Sequence, residues 1–155
     1  MVQPIPAGYA GVTPYLIVRN ATRALDFYRK AFGAVEIMRF PTPDGKIAHA
    51  EMKIGDGVFM LADESPEQGH KSPEALGGTP VSMMFYVKEV DAVFGRAVAA
   101  GAVARQPVKD QFYGDRSGTL ADPFGHTWTI ATHVEDVSPE EMKRRMSSMS
   151  SGETA

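Results

Sequence analysis

The stretch HAEMK places His49 and Glu51 two positions apart. In an extended segment such a pair shares one face, with backbones roughly 7 Å apart. An imidazole beside a carboxylate can serve as a general base with its orienting acid, or as hydrogen-bonding anchors for a ligand. With Lys53 next in line, the same residues also fit a solvated polar strand face. A second set, Tyr15, Met60, Met84 and Tyr86, combines adaptable thioethers with amphipathic phenols, which suit an apolar or aromatic ligand. Met and Tyr equally fill ordinary cores. Arg116, in QFYGDRSG (111–118), could meet a carboxylate or phosphate at a cavity mouth, or close a salt-bridged turn with Asp115. Arg39 is a further candidate cation with little local support.

Near the C-terminal end, DPFGHTWTIATH (122–133) turns on Asp122, Pro123 and Gly125 and then alternates as a strand bracketed by His126 and His133. Such a strand either presents metal ligands or lines a pocket without a metal. His126, behind Gly125, is expected to bond local backbone. His133, beside Glu135 and Asp136, reads as a surface histidine of raised proton affinity, and His70 as a loop residue without a visible partner.

The chain has no cysteine, which excludes disulfides, thiolate nucleophiles and Cys-ligated zinc. Neither GxGxxG, GxxxxGK[ST] nor GxSxG occurs, and no Ser/His/Asp triad can be argued from spacing. Net charge is −3 over 155 residues with no basic stripe, so no nucleic-acid partner is expected. The N-terminal stretch is broken by Pro and Gly and lacks a cationic start, and no run approaches the roughly 18 apolar residues of a membrane helix. A cytoplasmic protein with no membrane partner is the expectation.

The elements that must position these residues occur twice. VTPYLIVRNATRALDFYRKAFGAVE and VSMMFYVKEVDAVFGRAVAAGAVAR follow one plan at a constant offset of 69 residues, from Asn20 to Glu89. Each copy is a strand, a helix and three further strands. Asn20 can cap a helix whose stripe is Ala21, Ala24, Leu25, Tyr28, Ala31 and Phe32, ended by Gly33. The second stripe is Val90, Val93, Phe94, Ala97 and Val98. The further strands fall near 35–41, 45–54 and 57–63, then 103–111, 113–121 and 126–133. The modules span 10–63 and 80–134, joined by a polar linker at 64–79 within one domain. Residues 135–155 hold a capped helix at 138–146 and a serine-rich tail expected to be disordered. The class is α+β: two tandem βαβββ modules forming a curved mixed sheet around a cavity, helices on the outside.

This doubled pattern resembles the vicinal oxygen chelate superfamily, which includes glyoxalases, extradiol dioxygenases and bleomycin- and fosfomycin-resistance proteins. VTPYLIVRNATRALDFYRKAFGA, HAEMKIGDGVFMLADE and YGDRSGTLADPFGHTWTIATHVEDVSPEEMKRRM are similar to its PhnB-like branch. The resemblance covers roughly residues 10 to 147 and implies a cavity within a curled sheet and a homodimer. It also implies four metal-ligand positions, which match Thr13, Met60, Ser82 and Thr129 here. None is a usual ligand. Thr129 therefore reads as lining a pocket, no cofactor is expected, and a divalent metal at a shifted site stays open. The expected activity is binding of a small apolar or aromatic molecule in a metal-free cavity. The alternatives are a lyase, isomerase or dioxygenase using His49 and Glu51, with Arg116 holding a substrate anion, and a purely structural dimer.

Overall fold

Periodicity, capping and turn chemistry agree along most of the chain. In the computed structural model, which describes residues 1–152, the order is β1 (Tyr15–Val18), α1 (Ala21–Phe32), β2 (Val35–Pro41), β3 (Ile47–Ile54), β4 (Gly57–Asp63), α2 (Pro73–Leu76), β5 (Ser82–Tyr86), α3 (Val90–Ala99), β6 (Val103–Asp110), β7 (Asp115–Ala121), β8 (Thr127–His133) and α4 (Pro139–Ser151). One sheet runs β1-β4-β3-β2 and the other β5-β8-β7-β6. Within each, only the first pair, β1 with β4 and β5 with β8, is parallel. A helical crossover between parallel strands gives each module this order. Among the described residues, no helix is long and apolar enough to cross a membrane.

The expected stripe of α1 is buried in full. Asn20 sits in the left-handed region at φ 74°, and its side chain accepts from the Arg23 amide at 3.2 Å. Gly33 ends the helix at φ 67°, a conformation that costs a residue without a Cβ little. The last strand of each module adds a second cap. Asp63 accepts the amides of Asn20 (3.0 Å), Ala21 (2.9 Å) and Ile47 (2.7 Å). At the repeat-equivalent position, Thr132 accepts the Val90 amide at 3.0 Å. Glu89, which matches Asn20 in the repeat, makes no such bond.

Helices α1 and α3 cover the face of each sheet turned away from the candidate cavity. Within one chain these two covered faces meet and form a single core. Phe32 of α1 lies 5.1 Å from Phe85 and 4.9 Å from Trp128 of the other module. Beneath them, Asp122 accepts from the Tyr28 hydroxyl (2.6 Å), Trp128 Nε1 (2.9 Å), and the amides of Phe124 (2.9 Å) and His126 (3.0 Å). A buried carboxylate is tolerated only with such complete pairing. His126 does not bond local backbone with its ring. Its Nε2 reaches the Ile17 carbonyl of the first module at 2.9 Å, because the tight turn at Gly125 aims the ring across the module boundary.

The segment 64–79 is more ordered than a plain linker. Glu64 accepts from Arg19 Nε (2.6 Å) and the Ser72 hydroxyl (2.5 Å), and Ser72 caps α2. At the C-terminus α4 continues past 146 to Ser151, against the expectation of a disordered tail. Its serine hydroxyls bond back to carbonyls one turn earlier, as from Ser147 to Lys143 at 2.9 Å. Arg145 ties this helix down through Glu135 (2.7 Å) and the Phe112 carbonyl (3.1 Å). The last three tail residues, 153–155, lie outside the described residues.

Candidate functional site

Strand alternation fixes what each sheet shows on the face away from the helices. In β1, Leu16 and Val18 are buried in the core, so Tyr15 points the other way. In β3, Ala50 and Met52 are core residues, and His49 and Glu51 share the opposite face. The registers Tyr15–Met60, Met60–Glu51, Met38–Glu51 and Phe40–His49 bring these side chains together. The Tyr15 hydroxyl lies 2.8 Å from His49 Nδ1, and His49 Nε2 lies 3.1 Å from Glu51 Oε1. Glu51 Oε2 accepts the hydroxyl of Tyr9, which arrives from the irregular N-terminal segment.

The electrostatics follow from this chain of bonds. The Tyr9 hydroxyl, with His49 adding to it, holds the Glu51 carboxyl below the usual range, although burial opposes the shift. The Tyr9 phenol is raised by its bond to that carboxylate, and the Tyr15 phenol by burial and then by the Glu51 charge. Both tyrosines therefore stay neutral beside an ionised Glu51. With the carboxylate ionised, Nε2 of His49 donates to it and Nδ1 is the nitrogen that accepts from Tyr15. Glu51 is only 6% exposed, yet the residues around it are open: Tyr15 is 49% and Phe40 58% exposed. Phe40 also stacks on His49 at 6.3 Å.

The second module presents Met84, Tyr86 and Thr129 on its equivalent face. Met84 pairs in register with Thr129, whose hydroxyl lies 2.8 Å from that of Thr119. Tyr86 donates to Asp115 at 2.7 Å, and His133 bridges Asp115 and Asp136 at 2.8 Å each. These carboxylates, Asp115 first, raise the proton affinity of His133. Met84 is 50% and Tyr86 58% exposed.

Two expected cations are elsewhere. Arg116 lies on the helix side of β7, where its guanidinium meets Asp91 (2.7 Å) on α3 and Asp110 (3.1 Å). Neighbouring strand residues point to opposite faces, so Asp115 and Arg116 cannot pair as a turn. Arg116 is removed from the site by the same alternation. Arg39 is likewise on the helix side, 2.5 Å from Glu36. His70 sits in the connecting segment, paired through its backbone with Ser65.

The metal positions can now be tested by donor chemistry. In register, Tyr15 faces Met60 and Met84 faces Thr129, while Thr13 precedes β1 and Ser82 pairs with Thr127. Phenol, thioethers and hydroxyls do not suit a divalent ion that prefers imidazole and carboxylate. Among the described residues no group of three His, Asp or Glu side chains is placed to hold one. A cavity of about 450 Å³ opens between the modules above Phe59, Phe85 and Trp128, and its lining includes Met84 together with Thr13 and Ser82, two of the four expected ligand positions.

Residues 9–130 match the Glyoxalase/Bleomycin resistance protein/Dioxygenase superfamily. The chain belongs to that superfamily. A Mycobacterium bovis protein described as uncharacterized is 46% identical over 144 residues, covering 91% of this chain and 95% of its own. Among solved structures, TioX from Micromonospora sp. ML1 aligns with a TM-score of 0.63 at 28% identity, covering 83% of this chain and 100% of that one. The PhnB protein of Bacillus cereus shares the fold with a TM-score of 0.61 at 19% identity, over 78% of this chain and 98% of its own. Within this superfamily fold, three site residues had escaped the sequence: Tyr9, Phe40 and Asp115. Alternation from His49 along β3 to its partner strand could have found Phe40. Nothing local marks Tyr9, whose partner is 42 residues away.

Proposed function

We propose that this superfamily member binds a small apolar or aromatic molecule between the two sheet faces that its own helices leave open, without a metal at the superfamily's ligand positions. The observation that carries this is the exposure of Tyr15, Phe40, Met84 and Tyr86 on those faces, while the opposite faces are packed. Exposed apolar and aromatic surface on each face marks a binding site. In this reading a second copy completes the cavity over these faces, and the working form is a homodimer.

Calorimetric titration with phenethyl alcohol, a neutral aromatic probe, tests this. Saturable binding is expected, and Met84→Arg should weaken it by about tenfold, since a charge would be desolvated against the ring. Non-saturable uptake, or unchanged affinity in that variant, contradicts the proposal.

A second reading rests on the bonded series Tyr15, His49, Glu51 and Tyr9. Here the Tyr15 hydroxyl takes a substrate proton while passing its own to His49 Nδ1, and Glu51 stabilises the imidazolium, as in lyase or isomerase chemistry. Arg116, on the other face, takes no part. Turnover that survives His49→Ala in a folded protein removes this reading.

A further inference from the structure

Glu51 is the unusual group of the open face. Its side chain is nearly buried and ionised, yet His49 is the only basic group within ion-pair distance among the described residues. Lys53, on the same strand face, lies instead toward Asp56 at 3.9 Å. Buried Asp122 accepts four hydrogen bonds, whereas among the described residues the Glu51 carboxylate has only Tyr9 and His49 as partners. The remaining donor is the phenol of Tyr9, carried by a segment with no helix or strand before β1. His49, bonded to the carboxylate, carries aromatic neighbours: Tyr15 at 5.5 Å between ring centroids and Phe40 stacked at 6.3 Å.

A carboxylate beside an aromatic cluster is the chemistry that recognises an organic ammonium group, which can gain both an ion pair and cation–π attraction. Resting on the binding role proposed above, we infer that the ligand is an aromatic or apolar amine whose ammonium group displaces Tyr9 and pairs with Glu51. Tyr9 is then a built-in competitor. Its neutral hydroxyl satisfies Glu51 in the free protein and gives way because its segment is anchored by few other bonds; among the described residues the Tyr9 amide bonds only to the Pro6 carbonyl at 3.1 Å.

The test titrates the intact protein with phenethylammonium and with phenethyl alcohol, which share a ring and chain length. Wild type should bind the ammonium about tenfold more tightly. Glu51→Gln, close in shape, should abolish that preference while keeping the alcohol's affinity. Tyr9→Phe, in an irregular segment, should tighten the ammonium several-fold and leave the alcohol unchanged, because it removes the competing donor without touching the rings.

Equal affinity for both probes in wild type, or weaker ammonium binding by Tyr9→Phe, overturns the ammonium assignment while the binding role stands. Binding of neither probe overturns the assignment and the binding role together.

Discussion

Replacing Tyr28 by phenylalanine isolates one of the hydrogen bonds that join the two modules. The ring is fully buried, 5.4 Å from both Phe59 and Trp128, and phenylalanine preserves that packing. What is lost is the hydroxyl donation to Asp122 at 2.6 Å. A hydrogen bond to a charged group contributes about 1.5–3 kcal/mol. Asp122 would keep Trp128 and two backbone amides, so it is not left as a bare buried charge. The expected destabilisation is therefore about 2 kcal/mol, which in urea moves the midpoint by roughly 1 M at an ordinary slope. Tyr86→Phe supplies the comparison, since its bond to Asp115 lies on an open face and should matter far less. Urea titrations of the three proteins, followed by the single tryptophan, decide it. A Tyr28→Phe loss below about 0.5 kcal/mol, or one equal to that of Tyr86→Phe, would refute the claim that Asp122 cements the modules.

Other outcomes follow from the same contacts. Asp63→Ala strips three backbone amides of their acceptor and should cost about 2 kcal/mol in the same assay, with α1 losing protection against hydrogen exchange. His133 is raised by Asp115 and then Asp136. Its stabilising contribution is thus complete below the ordinary histidine pKa of about 6.5 and disappears as pH rises through the higher folded value. Stability measured across that window should fall in wild type more than in His133→Gln, and parallel curves would contradict the pairing.

Much of the fold was legible because each module repeats signals that act locally. Alternation set His49 and Glu51 opposite Ala50 and Met52 and put Trp128 and Ile130 in the core, although at the start of β3 Ile47 is buried and Ala48 exposed, the reverse of a strict alternation. The stripe from Ala21 to Phe32 located α1 between Asn20 and Gly33. Within the site, His49 and Glu51 were visible because strand pleating puts alternate residues on one face. Contacts between distant segments were not visible. Tyr28 and Asp122 are 94 residues apart, and no composition or periodicity announces their bond. Arg116 was misplaced because QFYGDRSG read as a turn, whereas β7 already begins at Asp115 and sends the next side chain to the helices. The serine-rich tail looked unfit for structure, but its hydroxyls satisfy carbonyls of α4 itself.

Oxidation footprinting of the methionines tests the proposed shared cavity without any mutation. Nine methionines provide internal references. In a single chain Met84 is 50% and Met149, on α4, 59% exposed, so isolated chains would oxidise both at similar rates. If two copies enclose the open sheet faces, Met84 oxidises much more slowly than Met149 in dilute peroxide, and phenethyl alcohol slows it further. Equal rates at every protein concentration, unaffected by the probe, would contradict a cavity between those faces.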